Sequence, residues 1–172
     1  MLKIGLDCDD CILSFWEEYI KLFPKRNQSD NEITKNVRRL MYNKEFWINL
    51  PVLHKPNFNV RLYCTKRINP KAHTKEWLEK NNFPIAPIYQ MLYQHGNKAT
   101  MVKGKVDVFV DDSIHNVIEM NLSGVPCLLI DSPNNQSYGP IGRVYSLDYA
   151  EIEDVYDMFM YQIFPNYKKF IL

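Results

Sequence analysis

The sequence predicts an α/β fold, a doubly wound, Rossmann-like parallel sheet covered on both faces. Three observations predict it. Short apolar runs at 3–7, 60–64, 106–110 and 127–130 alternate with stretches of helical periodicity; strands buried on both faces read as continuous apolar runs of this kind. Three of the runs end at a residue of chemical interest: Asp7, Thr65 and Asp111. Finally, 172 residues, 46% of them hydrophobic and 24% charged, suffice for a buried core in one domain.

Taken in order, residues 3–7 form a buried strand that stops at Asp7-Cys8-Asp9-Asp10-Cys11. From Ile12 to Phe23 the apolar positions Phe15, Trp16, Tyr19, Ile20 and Phe23 share one helical stripe, and Pro24 ends it. A second helix is expected over 32–42, capped by Asp30 or Asn31. A short third helix carries Phe46 and Trp47, and residues 50–59 return the chain. The second strand is expected at 60–64. Asn69-Pro70 then opens a helix that runs to Lys80, with Asn as cap and Pro in the first turn. A weak strand at 85–90 follows, and Lys98 begins a short helix before the strand at 106–110. Ser113 is the expected cap of a helix over 114–122, and Gly124 suits its end. After the strand at 127–130, a last amphipathic helix carries Ile152, Val155, Tyr156, Phe159 and Ile163.

Composition removes several classes of function. A net charge of +1 supplies no global field for nucleic acid or an anionic membrane. No apolar run approaches the roughly 20 residues that span a bilayer, and acidic residues come too early for a secretory signal. Four cysteines without an export signal suggest reduced thiols and a cytoplasmic location. Cys8-x-x-Cys11 has the spacing of a redox pair or half a zinc site. No second such pair exists, so buried thiols are the better reading. His54, His73 and His95 read as surface or loop residues, and His115 lies just past the last acidic pair, near the mouth of the site.

In open α/β sheets ligands bind beyond the carboxyl ends of the strands. Asp7, Asp9, Thr65, Asp111 and Asp112 therefore fall on one rim, together with Lys98. Two unit charges 4 Å apart repel by about 4 kcal/mol at an effective dielectric near 20, so four carboxylates on that rim call for a cation. Oxygen-only ligation favours Mg²⁺ over zinc, with Asp7, Asp9, Asp111 and Asp112 as candidate ligands. The Thr65 hydroxyl and the Lys98 ammonium suit a phosphoryl group. Lys98 is preferred over Lys103 and Lys105 because it opens a helix. Asp7 and Asp9 as mere helix caps would leave Thr65 and the Asp111-Asp112 pair unexplained. No glycine-rich phosphate loop is present.

The order Leu6-Asp7-Cys8-Asp9, Leu62-Tyr63-Cys64-Thr65, Lys98 and Val108-Phe109-Val110-Asp111-Asp112 resembles the four motifs of the haloacid dehalogenase-like phosphohydrolases. Within them the chain is most similar to the 5'(3')-deoxyribonucleotidases, including the stretch Asp131-Ser132-Pro133-Asn134-Asn135 that leads to Arg143-Val144 and Glu151-Ile152. The resemblance implies a core of residues 1–11 and 59–172 with a helical cap at 12–58. It implies catalytic roles for Asp7, Asp9, Thr65 and Lys98: Asp7 as nucleophile, Asp9 as acid and base, Thr65 and Lys98 on the phosphoryl oxygens. It further implies Mg²⁺ on Asp112 and Asp7, supported by Asp111 and the Asp9 carbonyl. The family's usual Gly after the second Asp is replaced by Asp10, a type that tolerates left-handed backbone, and Cys11 follows where Thr or Val is usual.

An aromatic stripe at helical spacing is more often core than platform. Among Phe15, Trp16, Phe46 and Trp47, a short cap leaves one or two rings to face the pocket, where a base or sugar would lie flat. Arg67 and Lys66 either draw the substrate phosphate or are simply solvated. The expected activity is hydrolysis of (deoxy)nucleoside monophosphates, with no membrane or stable nucleic-acid partner and a homodimer allowed for. The alternatives are a degenerate protein that only binds a phosphorylated ligand and a polynucleotide 3'-phosphatase. The neutral charge disfavours the latter. A phosphoacceptor receiver domain fails on motif order, since no Asp ends the second strand.

Overall fold

The computed structural model of the chain describes residues 1–24, 28–67, 69–91, 97–139 and 142–163. Among these residues six strands, β1 (Ile4–Leu6), β2 (Leu62–Lys66), β3 (Ile88–Met91), β4 (Val108–Asp111), β5 (Cys127–Ile130) and β6 (Arg143–Val144), pair in the order β3-β2-β1-β4-β5-β6. Every pairing is parallel. The chain builds outward from β1 to β3, then returns to the other side of β1 to lay down β4 to β6. The direction of winding thus reverses between β1 and β4, which is where open α/β sheets bind ligands.

Alternation along the strands divides the core into two layers. Ile4, Leu6, Tyr63, Val108, Val110, Leu128 and Ile130 point to one face. That face is covered by Trp77 and Leu78 of α4 (Lys71–Lys80), by Ile152, Tyr156 and Phe159 of α7 (Tyr149–Ile163), and by the helices between β1 and β2. Leu62, Cys64, Phe109, Cys127 and Leu129 point to the other face, under α5 (Lys98–Val102) and α6 (Ile114–Leu122). Between β1 and β2 run α1 (Phe15–Leu22), α2 (Asp30–Leu40) and α3 (Lys44–Ile48). Tyr19, Leu40 and Trp47 from these helices join the first layer.

Element boundaries depart from the sequence-based expectation where local bonding outweighs periodicity. α1 starts at Phe15 because Ile12 and Leu13 are spent in a buried turn, with Ile12 and Leu13 N–H donating to the Cys8 carbonyl and Asp10 N–H to that of Leu13. α2 starts at Asp30, so its cap is Ser29, not Asp30 or Asn31. Ser29 and Glu32 form a reciprocal capping box. α4 takes Pro70 as its cap instead of Asn69. Ser113 stands at the cap of α6, yet its side chain makes no capping bond. β6, two residues long, is too short to show a period in the sequence. All four cysteines are buried and unpaired. His115 is exposed, His54 and His73 are half-buried, and His95 lies outside the described residues. Among the described residues, no helix is long and apolar enough to cross a membrane.

Candidate active site

Register alone brings the first carboxylates together. Ile4, Gly5 and Leu6 stand beside Val108, Phe109 and Val110, and the Asp7 N–H extends the ladder by donating to the Val110 carbonyl at 2.9 Å. One further step sets Asp7 beside Asp111, and period-two alternation turns both to the face that α5 covers. Lys98, the first residue of α5, reaches between them: its Nζ lies 2.7 Å from Asp7 Oδ1 and 2.6 Å from Asp111 Oδ2. Lys98 is 1% exposed, Asp7 4% and Asp111 fully buried. Lys103 and Lys105 instead hold backbone carbonyls at the surface.

Asp111 is fully engaged. Besides Lys98, it accepts from the Ser113 N–H at 2.9 Å and from Asn116 Nδ2 at 3.0 Å. Asn116 accepts in turn from Lys66 Nζ. Asp112 differs: its backbone carbonyl is held by Asn135 Nδ2 at 2.8 Å, while its side chain has no hydrogen-bond donor among the described residues. Asn135 is itself fixed by the Ser132 N–H and by buried Arg143, which also pairs with Asp131. Asn116 escapes the sequence reading because an amide that orients a carboxylate carries no spacing signal. The Asp131–Arg143 stretch came only through the family resemblance.

Carboxylate oxygens of Asp7, Asp111 and Asp112 lie within 4.8 Å of one another. Burial, and then repulsion from the neighbouring carboxylates, pushes the Asp112 acid group far above its ordinary range, to about 9. Burial also raises Asp7, against the opposing pull of Lys98. Three acids face one ammonium, and Asp7 Oδ1, although ion-paired, is buried without a directed hydrogen bond. This donor set fits a hard divalent cation on Asp7 and Asp112, with Asp111 held back by its own bonds.

Asp9 stands apart from that cluster. Its carboxylate takes the Nε of Arg67 at 2.9 and 2.7 Å and the Nη2 at 2.6 Å, and it accepts from Thr65 Oγ1 at 3.0 Å. Two of the candidate substrate contacts make internal bonds. Arg67, which the sequence left open between drawing the substrate phosphate and being solvated, is buried and bonded to Asp9 and to Thr74 Oγ1. Trp47, expected on the pocket wall, is 2% exposed; its indole N–H donates to the Leu40 carbonyl and its ring stacks on Phe15 at 5.5 Å. Phe15 and Trp16 are half-buried, Trp16 being stacked on Tyr19. Asp10 adopts φ +54° and uses Oδ1 to accept from the N–H groups of Phe15 and Trp16, capping α1.

No protein-family model matches the chain, and no curated protein does. A solved structure described as a HAD-superfamily hydrolase from Ehrlichia chaffeensis is similar to it at 11% identity, over 93% of this chain and 96% of that one, with a TM-score of 0.39. The fold class stands on the strand order and pairing themselves.

Proposed function

We propose that the protein is a Mg²⁺-dependent phosphomonoester hydrolase that works through an aspartyl-phosphate, with (deoxy)nucleoside monophosphates as substrates. One observation carries the reading: Asp7, Asp111 and Asp112 converge around a single buried ammonium, Lys98, where the winding of the sheet reverses. An acidic triad with two members buried, Asp112 half-buried and one positive partner is a costly core but a fitting seat for a cation and a phosphate. The motif resemblance supports the same reading, and the choice of nucleoside monophosphates follows from it.

In this mechanism an Asp7 carboxylate oxygen attacks phosphorus and the ester P–O bond breaks. Asp9 gives a proton to the departing alkoxide, then takes one from the water that attacks the acyl phosphate, freeing Asp7 and inorganic phosphate. Lys98 aims Asp7 and favours its charged form against the effect of burial, and Asp111 holds Lys98. Mg²⁺ held by Asp7 and Asp112 would offset the charge of the cluster and of the phosphoryl oxygens.

The test is phosphate release from a panel of nucleoside and sugar monophosphates, with and without Mg²⁺, in the wild type and Asp7→Asn. Mg²⁺-dependent release that falls to background in the variant is expected. Retained turnover in Asp7→Asn removes the nucleophile, and tight binding without any release identifies a phosphate-binding protein instead.

A further inference from the structure

We propose that Arg67 is a positioning residue for Asp9 and that Trp47 sets Arg67, so that the helices between β1 and β2 fix the carboxylate that moves protons; this rests on the reaction proposed above. Arg67 follows directly after β2. Its guanidinium spends Nε and Nη2 on Asp9 and Nη1 on Thr74. Its Cζ lies 5.2 Å from the centre of the Trp47 ring. Trp47 is held by Leu40 of α2 and Phe15 of α1. Thr65 closes the other side of the carboxylate.

Arg67 is buried, and its guanidinium faces Asp9, Thr74 and the Trp47 ring, away from open solvent. What a planar fork with two contact points supplies is orientation, which a lysine's single point charge does not. Proton transfer demands that orientation, because a general acid must stand within hydrogen-bond reach of the leaving oxygen. A chain of contacts therefore runs from the helical insert to Asp9: Phe15 and Leu40 hold Trp47, Trp47 faces Arg67, and Arg67 aims the acid.

Leaving-group dependence separates this role from a general loss of structure. An alkyl phosphate leaves as a poor alkoxide and needs the proton, whereas 4-nitrophenyl phosphate leaves without it. In both cases kcat/KM reports the steps through P–O cleavage. With Arg67→Met, kcat/KM for the alkyl ester should fall by about a hundredfold, in keeping with the worth of a general acid. The fall for the nitrophenyl ester should be at least tenfold smaller. Trp47→Leu should move the ratio in the same direction by less, and Arg67→Lys should restore only part of it. Equal losses on both esters in folded Arg67→Met overturn the proposal. If that variant does not fold, Trp47→Leu and Thr65→Val decide, and an unchanged ratio in both overturns it. A wild type without turnover refutes the phosphatase reading. In that case crystal structures of the wild type and Trp47→Leu decide the positioning itself: a reoriented Asp9 carboxylate supports it, and an unmoved one overturns it.

Discussion

Asp10 holds a backbone position that few side chains accept. At φ +54° most residues are strained, while Asp and Asn are tolerated. The same carboxylate accepts from two free N–H groups at the start of α1, where Ser14 makes no capping bond. The two roles separate by mutation. Asp10→Ala loses the cap and keeps a strained backbone, and should lower unfolding free energy by about 1–3 kcal/mol in chemical denaturation. Asp10→Asn keeps an acceptor and the backbone tolerance, and should stay close to wild type; an Ala variant as stable as the Asn variant would refute the capping role. The turn tolerance of Asp10 was legible in the sequence, whereas its cap was not, because the bond reaches five and six residues ahead instead of the usual two or three. The gathering of Asp7, Asp111 and Asp112 on one rim could be read from the strand-end rule, and Lys98 joined them as the residue that opens a helix. The Asp9–Arg67 pair could not, since it joins two loops through side-chain geometry.

At the scale of elements, β1 works because its middle residue has no side chain. A Cβ on Gly5 would stand 2.7 Å from Phe109 Cδ2 and 2.9 Å from Val106 Cγ1, contacts that real Cβ atoms do not make. The Phe109 ring fills that space and underlies Lys98, with Nζ 5.8 Å from its centre. Gly5→Ala therefore pushes on the floor of the site. It should cost about 1–3 kcal/mol by overpacking, with a lower midpoint in urea and weaker activity than wild type at saturating Mg²⁺; unaltered stability would mean that Phe109 has room to move. Strands and helices on the buried faces were legible as apolar runs and stripes. Their ends were less so. Ser29-Asp30-Asn31-Glu32 holds three good cap residues in a row, and only the reciprocal bonds of Ser29 and Glu32 choose among them. Arg143–Val144 is too short to show a period, so β6 emerges only when β5 offers it an edge.

Across the whole molecule acids and bases nearly cancel, with a net charge of +1, which hides a local imbalance. Asp7, Asp10, Asp111 and Asp112 crowd the ends of β1 and β4, where Lys98 is their buried base and Arg67 is spent on Asp9. Burial, followed by contact with neighbouring carboxylates, raises Asp10 to about 6, Asp7 to about 7 and Asp112 to about 9, from 3.8 in the unfolded chain. The folded protein thus keeps protons that the unfolded chain releases. The stability this contributes is complete below pH 3.8 and is lost as pH rises through 6, 7 and 9. His54, lowered by burial, works in the opposite direction near its ordinary pKa of 6.5 but is a single group. In EDTA the melting temperature should therefore decline from pH 5 to pH 9. A divalent cation on Asp7 and Asp112 favours their charged forms, so Mg²⁺ should raise the melting temperature more at pH 8.5 than at pH 5.5 and release protons on binding. Scanning calorimetry across that range, with and without Mg²⁺, tests both signs together. A metal-free protein that grows more stable toward pH 9 would mean that these acids are not held protonated by burial, and a Mg²⁺ effect that is larger in acid would mean that Asp7 and Asp112 do not share one cation.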